Sequence, residues 1–512
     1  MNRVGRTLAV SLSGLEGHIV DVEVLSQAGL PAFVLVGLPD TAVGESRDRV
    51  RAAMVSSGFG FPQARVTANL SPAYLPKTGT GFDLGIAVAL LIAAGTVKQD
   101  RQSNCVYLGE LSLDGRVRPV RGVLPAVAAA VAAGRSRVVV AAESALEAGL
   151  VKGAEVVAVA SLEELAWKLG APIDPPAPSR SAEDVPSGVC APEAPCPDLA
   201  DVVGQATARY ALEIAAAGSH HLLFQGPPGN GKTMMASCLP GILPPLSEAE
   251  SVEVTALHSV AGTLDPRGGL IRRPPFQDPH HTATTAAMVG GGSGTPRPGA
   301  ISLAHRGVLF LDECPEFSPR VLQTLRQPLE RGEVVIHRAN STARYPSRFH
   351  LVMAANPCPC GQAYGRGQAC TCTVTARRRY MGRISGPLLD RIDMWVEVEP
   401  VSALPPDAAA AGESSRAVAA RVATARAAQI ERFKSEGWLL NSEAPGGWLR
   451  AHMGSGLIIK SGLNTALETG AISLRGVDRV LRVAWTMADL AGRPSPCAQD
   501  VEAAMTLRRR NG

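Results

Sequence analysis

The sequence predicts an α/β fold: a parallel-sheet core at the centre, a smaller α/β region before it and a helical region after it. Three observations carry that reading. Short β-rich runs alternate with alanine-rich helical patterns in the first part of the chain. A strand, a glycine-rich loop and a helical pattern follow one another in "HLLFQGPPGNGKTMMASCLPG". The final segment is helical in pattern throughout. At 512 residues the chain is also too long for one hydrophobic core. The expected divisions are residues 1–170, a linker over 171–198, a core over 199–400 and a C-terminal region over 401–512.

Each element has its own signal. "PAFVLVGLP" and "SRVVVAAES" read as strands, "GFDLGIAVALLIAAG" and "VLPAVAAAVAAG" as helices. "APIDPPAPSRSAEDVPSGVCAPEAPCPD" is proline-rich and almost free of large apolar residues, as a linker is. "GVLFLDE" and "FHLVMAANP" read as core strands, and "LERGEVVIHRAN", 329–340, as a hairpin. A weaker break, "VSALPPDAAAAGESS", precedes four helical patterns: "SRAVAARVATARAAQIERF", "SGLNTALETG", "LRGVDRVLRVAWTMADLAG" and "CAQDVEAAMTLRRR".

Composition excludes some classes. Apolar residues make up 46% and charged residues 19%, which is ordinary for a globular protein. A net charge of +4 is too small to mark a nucleic-acid binder, so any basic surface must be local. Apolar runs such as "GIAVALLIAAG" are too short to span a bilayer. "MNRVGRTLAVSLSGLEG" meets glycine and charge too early for a signal peptide. No membrane partner and a cytoplasmic location are expected, where thiols stay reduced.

The glycine-rich loop carries the strongest chemical signal. Gly226, Pro227, Pro228, Gly229, Asn230, Gly231, Lys232 and Thr233 form G-x-x-x-x-G-K-T between a strand and a helix. Glycines let backbone N–H groups turn inward around an anion without a Cβ clash. The helix N-terminus adds partial positive charge. Lys232 is expected to reach the β/γ-phosphates of ATP, and Thr233 to coordinate Mg²⁺. "GVLFLDE" then ends in Asp312, suited to the Mg²⁺ shell, and Glu313, suited to orient or deprotonate the attacking water. "FHLVMAANP" ends in Asn356, which could touch the γ-phosphate; Asn before Pro is also ordinary turn chemistry.

These three motifs resemble those of AAA+ ATPases. "PFQDPHHTATTAAMVGGGSGTPRPGAISLAHRGVLFLDECPEF" and "SGPLLDRIDMWVEVEP" narrow the likeness to the magnesium-chelatase-like AAA+ ATPases of the YifB/ComM family. "LPAFVLVGLPDTAVGESRDRVRAA" and "KTGTGFDLGIAVALL" resemble that family's first domain, so the likeness covers essentially the whole chain. It implies a Lon-protease-like (ribosomal S5-like) α/β domain, a P-loop AAA+ parallel-sheet ATPase core and a C-terminal helical lid. It also implies a homo-hexameric ring with ATP between subunits. Arg391 in "LLDRID" matches the family's arginine finger; read from the sequence alone, it is as well a structural partner of Asp390 or Asp393. Arg475 matches the sensor arginine of the lid, with Arg482 as its competitor.

A Lon-type protease needs a Ser–Lys dyad. At the matching positions this chain has Asp83 and Leu124, so its first domain is expected to be a scaffold or partner-binding module. The resemblance further implies single-stranded or branched DNA as partner, with helicase or branch-migration activity in recombination or competence. A chelatase-like ATPase remodelling a protein is the alternative. The insert 288–305 with Arg297, and His337 and Arg338 of the hairpin, would meet phosphates or be solvated loop charges. The run Arg377, Arg378, Arg379 with Arg383 offers modest further support for a polyanion, and such runs are also common on plain surfaces. His280 and His281 fit the family's "PHH" pattern, as structural residues or a pore element.

"NPCPCGQAYGRGQACTC" holds two Cys-x-Cys pairs, Cys358/Cys360 and Cys370/Cys372. Four thiolates at this density suit a structural tetrahedral Zn²⁺. The usual spacing is Cys-x-x-Cys, and reduced unliganded thiols are the other reading. The loop joins Asn356 to the segment bearing Arg391, so a metal there would act as a clip positioning Arg391.

Overall fold

The computed structural model describes residues 3–38, 40–99, 104–176, 196–292, 296–337, 342–364, 369–400, 412–453 and 461–508. Most of the predicted linker and Arg338 lie outside them.

The first sheet begins with a long hairpin. β1 (Arg3–Ser13) and β2 (Glu16–Gln27) pair antiparallel from Arg3↔Ser26 to Ser13↔Glu16. With β3 (Ala32–Val36), β4 (Arg65–Ser71), β5 (Val106–Leu108), β8 (Arg137–Ala141) and β9 (Glu155–Val159), they form a sheet of order β3-β4-β2-β1-β5-β8-β9. A small hairpin of β6 (Glu110–Leu111) and β7 (Val117–Arg118) stands apart. α1 (Thr41–Ser56), α2 (Asp83–Ala94), α3 (Val123–Ala132), α4 (Ala145–Gly149) and α5 (Leu162–Lys168) pack against this frame. α2 is apolar all round and buried along almost its whole length, as a core helix must be. Asp83 is fully buried at its first turn and paired with Arg49 at 2.6 Å. Leu124 is fully buried too.

The second sheet is parallel throughout: β11 (Phe276–Gln277), β14 (Val308–Leu311), β17 (His350–Ala355), β10 (Leu222–Gln225) and β18 (Met394–Glu397), in that order. α6 (Ala206–Gly218) precedes β10, and α7 (Lys232–Ile242) and α8 (Glu248–Ala261) follow it. α9 (Thr285–Val289), β12 (Gly290–Gly291), β13 (Arg297–Pro298) and α10 (Ala300–Leu303) form the expected insert before β14. α11 (Pro319–Thr324) and α12 (Arg326–Arg331) lead to a hairpin of β15 (Glu333–His337) and β16 (Thr342–Pro346). That hairpin is displaced from the expected 329–340. The residues up to Arg331 are helical, and the returning strand is the alternating "TARYP" beyond the expected end.

α13 (Val374–Met381) and α14 (Gly386–Leu389) lead into β18. The chain closes with α15 (Ser415–Arg432), α16 (Gly446–His452), α17 (Leu463–Glu468), α18 (Leu474–Leu490) and α19 (Ala498–Thr506). α18 buries Val477, Val480, Leu481, Ala484, Trp485 and Ala488, an i, i+3, i+4 stripe. From Val477 to Trp485 that stripe shares one hydrophobic cluster with Leu222 and Phe224 of β10 and with Val418 and Val422 of α15. The C-terminal helices are therefore built onto the side of the second sheet.

The two sheets' domains touch at defined points. The Gly122 N–H donates to Ser259 O at 3.3 Å. Glu147 Oε1 accepts from the Leu124 N–H at 2.9 Å and from the Ser259 hydroxyl. Ser13 Oγ donates to Thr342 O at 3.3 Å, and Leu12 and Leu15 pack on the cluster beneath β14 and β17.

Candidate active site

In a parallel sheet all strand C-termini lie on one edge, so residues far apart in sequence converge there. Gly226–Thr233 follows β10, Asp312 and Glu313 follow β14, and Asn356 follows β17. Lys232 opens α7. Its Nζ donates to Gly226 O and Pro227 O, both at 2.7 Å, and to Asn356 Oδ1 at 3.3 Å. Burial pulls the lysine below its ordinary value, while Asp312 and Glu313 push it back up. Gly229 and Gly231 both have φ of +78°, a conformation that favours glycine, with no atom within 4 Å of where a Cβ would stand. Asn230 Nδ2 is buried and has no hydrogen-bond partner among the described residues. An unspent donor in an open glycine loop at a helix N-terminus suits a polyphosphate.

The acidic half of the site is equally compact. Thr233 Oγ1 donates to Asp312 Oδ2 at 2.6 Å, and Asp312 Oδ1 accepts the Glu313 N–H at 2.8 Å. A hydroxyl and a carboxylate held this close are oxygen donors of the kind that suits Mg²⁺. Glu313 has φ of +47°, costing about 1–2 kcal/mol for a non-glycine residue. Its carboxylate is half exposed, and His281 Nδ1 lies 3.3 Å from Oε2. The His280 ring sits 4.1 Å from that of His281. Nothing local in the sequence joins His281 to Glu313; their meeting depends on β11 and β14 pairing.

Arg391 is elsewhere. It lies just before β18, which runs parallel to β10 from Leu222↔Met394 to Gln225↔Glu397. It therefore sits at the sheet edge opposite the phosphate loop. Its side chain is only 14% exposed and pairs with Glu330. Burial lowers its pKa, and the nearby cations Arg475, Arg479 and Arg326 lower it further. Arg475 is exposed on the first turn of α18, whereas Arg482 is half-buried and donates to Ala444 O at 3.0 and 2.9 Å. Arg479, one turn after Arg475, was not singled out from the sequence. It pairs with Asp393, two residues after Arg391.

Asp393 is the centre of a buried polar knot. It accepts the His221 N–H at 2.7 Å and lies 3.9 Å from His220 Nδ1. Burial opposes its ionisation, but Arg479 and the surrounding groups hold it far below the usual carboxylate range. Burial pushes His220 and His221 down to about 4. Both effects have one sign. The folded state binds fewer protons than the unfolded chain below the unfolded histidine value of about 6.5, and below about 3.9 for the aspartate, so stability falls as pH falls. Thermal melts should move steadily lower from pH 7 to pH 4.5. Asp393→Ala should cost about 3–5 kcal/mol at pH 7, because it strands Arg479 without its partner. Denaturant unfolding of the variant measures this, and a loss under about 1 kcal/mol would contradict it.

The other candidate residues divide. Arg297 is exposed on β13 and His337 at the end of β15. Their hairpins are neighbours, joined by a Tyr345 hydroxyl that donates to Pro296 O at 2.5 Å. Arg378 and Arg379 are exposed. Arg377 instead donates to Cys372 O at 3.3 Å, and Arg383 to Pro315 O at 3.2 Å and Glu316 Oε2 at 2.9 Å. The four cysteines come together: their Sγ atoms all lie within 4.8 Å of one another, with Cys358 buried and Cys360 exposed. The Gln362 N–H and Cys358 pull the Cys360 thiol down to about 6.

Comparison with known proteins agrees with this geometry. Residues 198–404 match the family described as magnesium chelatase, subunit ChlI; residues 22–144 match subunit ChlI of Mg-chelatase; residues 412–508 match the ChlI C-terminal family. An uncharacterized protein of Mycobacterium tuberculosis is 51% identical over 99% of this chain and 98% of its own length. The uncharacterized protein YifB of Salmonella typhimurium is 40% identical over 97% and 95%. Competence protein ComM of Haemophilus influenzae is 39% identical over 94% and 92%. With relatives of this identity matched over nearly their full length, and with the phosphate loop, acidic strand end and polar strand end assembled on one edge, the chain belongs to the YifB/ComM family of magnesium-chelatase-like AAA+ ATPases.

Proposed function

We propose that this protein is an ATP-hydrolysing ring motor acting on single-stranded or branched DNA. The observation that carries the ring is the placement of Arg391. A phosphate loop on one edge of a parallel sheet and an arginine on the other cannot serve one site within one chain. A neighbouring subunit can bring the arginine to the site, and a head-to-tail contact of this kind gives a ring when its rotation closes. Lys232 would hold the terminal phosphates, with Asn356 ordered beside it. Thr233 and Asp312 would hold Mg²⁺, which neutralises charge developing on the phosphates. Glu313, steered by His281, would take up the proton of the attacking water.

For DNA, the supporting features are the adjacent hairpins with Arg297 and His337, the exposed Arg378 and Arg379, and a relative named for competence. ATP hydrolysis should rise severalfold with single-stranded or forked DNA at low salt, and the gain should shrink as salt displaces phosphate contacts. If no DNA form binds or changes the rate at low salt, the DNA reading fails. The second reading, a chelatase-like ATPase remodelling a protein, would then stand on the family matches.

The domain boundaries at 1–170, 199–400 and 401–512 belong to the same reading, with the first as an inactive accessory domain. So does a structural zinc on Cys358, Cys360, Cys370 and Cys372. Zn–S bonds of about 2.3 Å in a tetrahedron place sulfurs about 3.8 Å apart. The observed pairs are 3.3 Å for Cys358–Cys360, 3.6 Å for Cys358–Cys370 and 3.7 Å for Cys360–Cys370. All are far beyond a disulfide bond length.

A further inference from the structure

We propose that the four-cysteine loop is a clip that holds Asn356 against the phosphate loop, so that its metal sets the rate of turnover while nucleotide affinity stays nearly independent of it. The inference rests on the metal reading above and adds a catalytic consequence to it.

Three contacts make the case. Asn356 directly follows β17 and touches Lys232 Nζ at 3.3 Å; only Pro357 separates it from the buried Cys358. Gly361, one residue after Cys360, lies on the phosphate loop itself. A Cβ there would stand 2.8 Å from Pro228 Cδ and 3.2 Å from Cγ, and its φ of +76° is again one that glycine allows. On the far side, Cys372 O accepts Arg377 Nε at 3.3 Å, which fastens the loop to α13. That helix leads to Arg383, bonded to Pro315 O and Glu316 Oε2 close behind Glu313. The cysteine loop is thus tied by covalent chain to Asn356, by contact to Pro228 and through α13 to the Glu313 segment.

The loop has little else to hold it. No helix or strand is present between Ala355 and Val374 among the described residues, and Cys358 is the one buried apolar side chain described there. Closing such a loop costs entropy that a cross-link removes. A metal bound by four thiolates supplies that link and couples its binding to the order of the segment. Lys232 and the phosphate loop have anchors of their own: Lys232 opens α7 and bonds Gly226 O and Pro227 O, which follow β10. Loss of the metal should therefore leave ATP binding and disorder Asn356. A misplacement of about 1 Å at a reacting centre costs about 10²-fold in rate.

The test uses the full-length protein purified without chelator. Elemental analysis should give one zinc per chain, and the cobalt-substituted protein should show thiolate-to-metal charge-transfer absorption. The variant Cys370→Ser/Cys372→Ser should lose the metal. Its kcat should fall by at least about tenfold while KM for ATP moves by less than about threefold. In an Asn356→Ala background the same cysteine change should alter kcat less than about twofold, because the group it positions is gone. Gly361→Ala keeps all four thiols; it should retain zinc and still lose rate, and it decides the matter if the cysteine variant does not fold. No metal in the wild-type protein overturns the metal reading and the clip with it. Metal present, with wild-type kcat in the folded cysteine variant or in Gly361→Ala, overturns the clip and leaves the metal reading intact. A full rate loss in the Asn356→Ala background also overturns the clip. Wild-type ATP turnover, measured alongside, reports on the ATPase reading separately.

Discussion

Glu313→Gln should bind ATP as the parent does and turn it over at least about 10²-fold more slowly. The substitution removes a proton acceptor and little else. Glutamine keeps the length and shape of the side chain, Lys232 keeps its bonds to Gly226 O and Pro227 O, and Thr233 keeps its bond to Asp312. The backbone at Glu313 is already in the left-handed region, with its N–H tied to Asp312, so the exchange asks nothing new of the main chain. A nucleotide-binding titration should move by less than about threefold and the melting temperature by little, while kcat collapses. His281→Ala should give a milder loss of the same kind, since His281 Nδ1 stands 3.3 Å from the carboxylate and orients it without replacing it. Turnover in Glu313→Gln within about threefold of the parent would remove Glu313 from this role. Equal loss of binding and turnover would do so too, pointing instead to a collapsed loop.

What the sequence made legible, and what it did not, follows from the range of the interactions. The phosphate loop could be read because its chemistry is local: consecutive residues, a strand before and a helix after. The same holds for the apolar stripe of α18, whereas the returning strand of the hairpin, β16, lies beyond the expected 329–340. The parallel sheet could be anticipated from three apolar runs ending in polar residues, because such strands deliver their ends to one edge. His281 beside Glu313, Gly361 against Pro228 and Arg479 on Asp393 could not, since each meeting is fixed by the packing of elements far apart in the chain. The same limit bears on the cysteine loop. Read along the chain, it lies between Asn356 and Arg391 and invites the idea of a clip for the arginine. In three dimensions the loop rests on Pro228, and Arg391 precedes β18 at the other edge of the sheet.

That separation leads to the second large effect. Arg391→Ala and Lys232→Ala should each abolish turnover when made alone, and a mixture of the two should recover part of it. An arginine finger contributes about 10³–10⁵ in rate, and loss of the phosphate-loop lysine removes the grip on the terminal phosphates. In the proposed ring, with subunits randomly mixed, a site with an intact lysine would face an intact arginine at about a quarter of the contacts, the product of two halves. The mixture should therefore reach a substantial fraction of parental activity when neither parent variant does. The local electrostatics favour this arrangement. Arg475, Arg479 and Arg326 stand near enough to disfavour the charge on Arg391, which pairs with Glu330, while Arg479 pairs with Asp393. Such a cluster is stabilised by an anion brought from outside, and the terminal phosphate of a neighbour's ATP has that charge. Arg391 would exchange Glu330 for the phosphate, so Glu330→Gln should raise the affinity of one subunit for the nucleotide-loaded face of the next. Equimolar mixing with no gain over either variant, under conditions where labelled subunits are seen to exchange, would place the arginine's work inside its own chain, contrary to the geometry of the sheet.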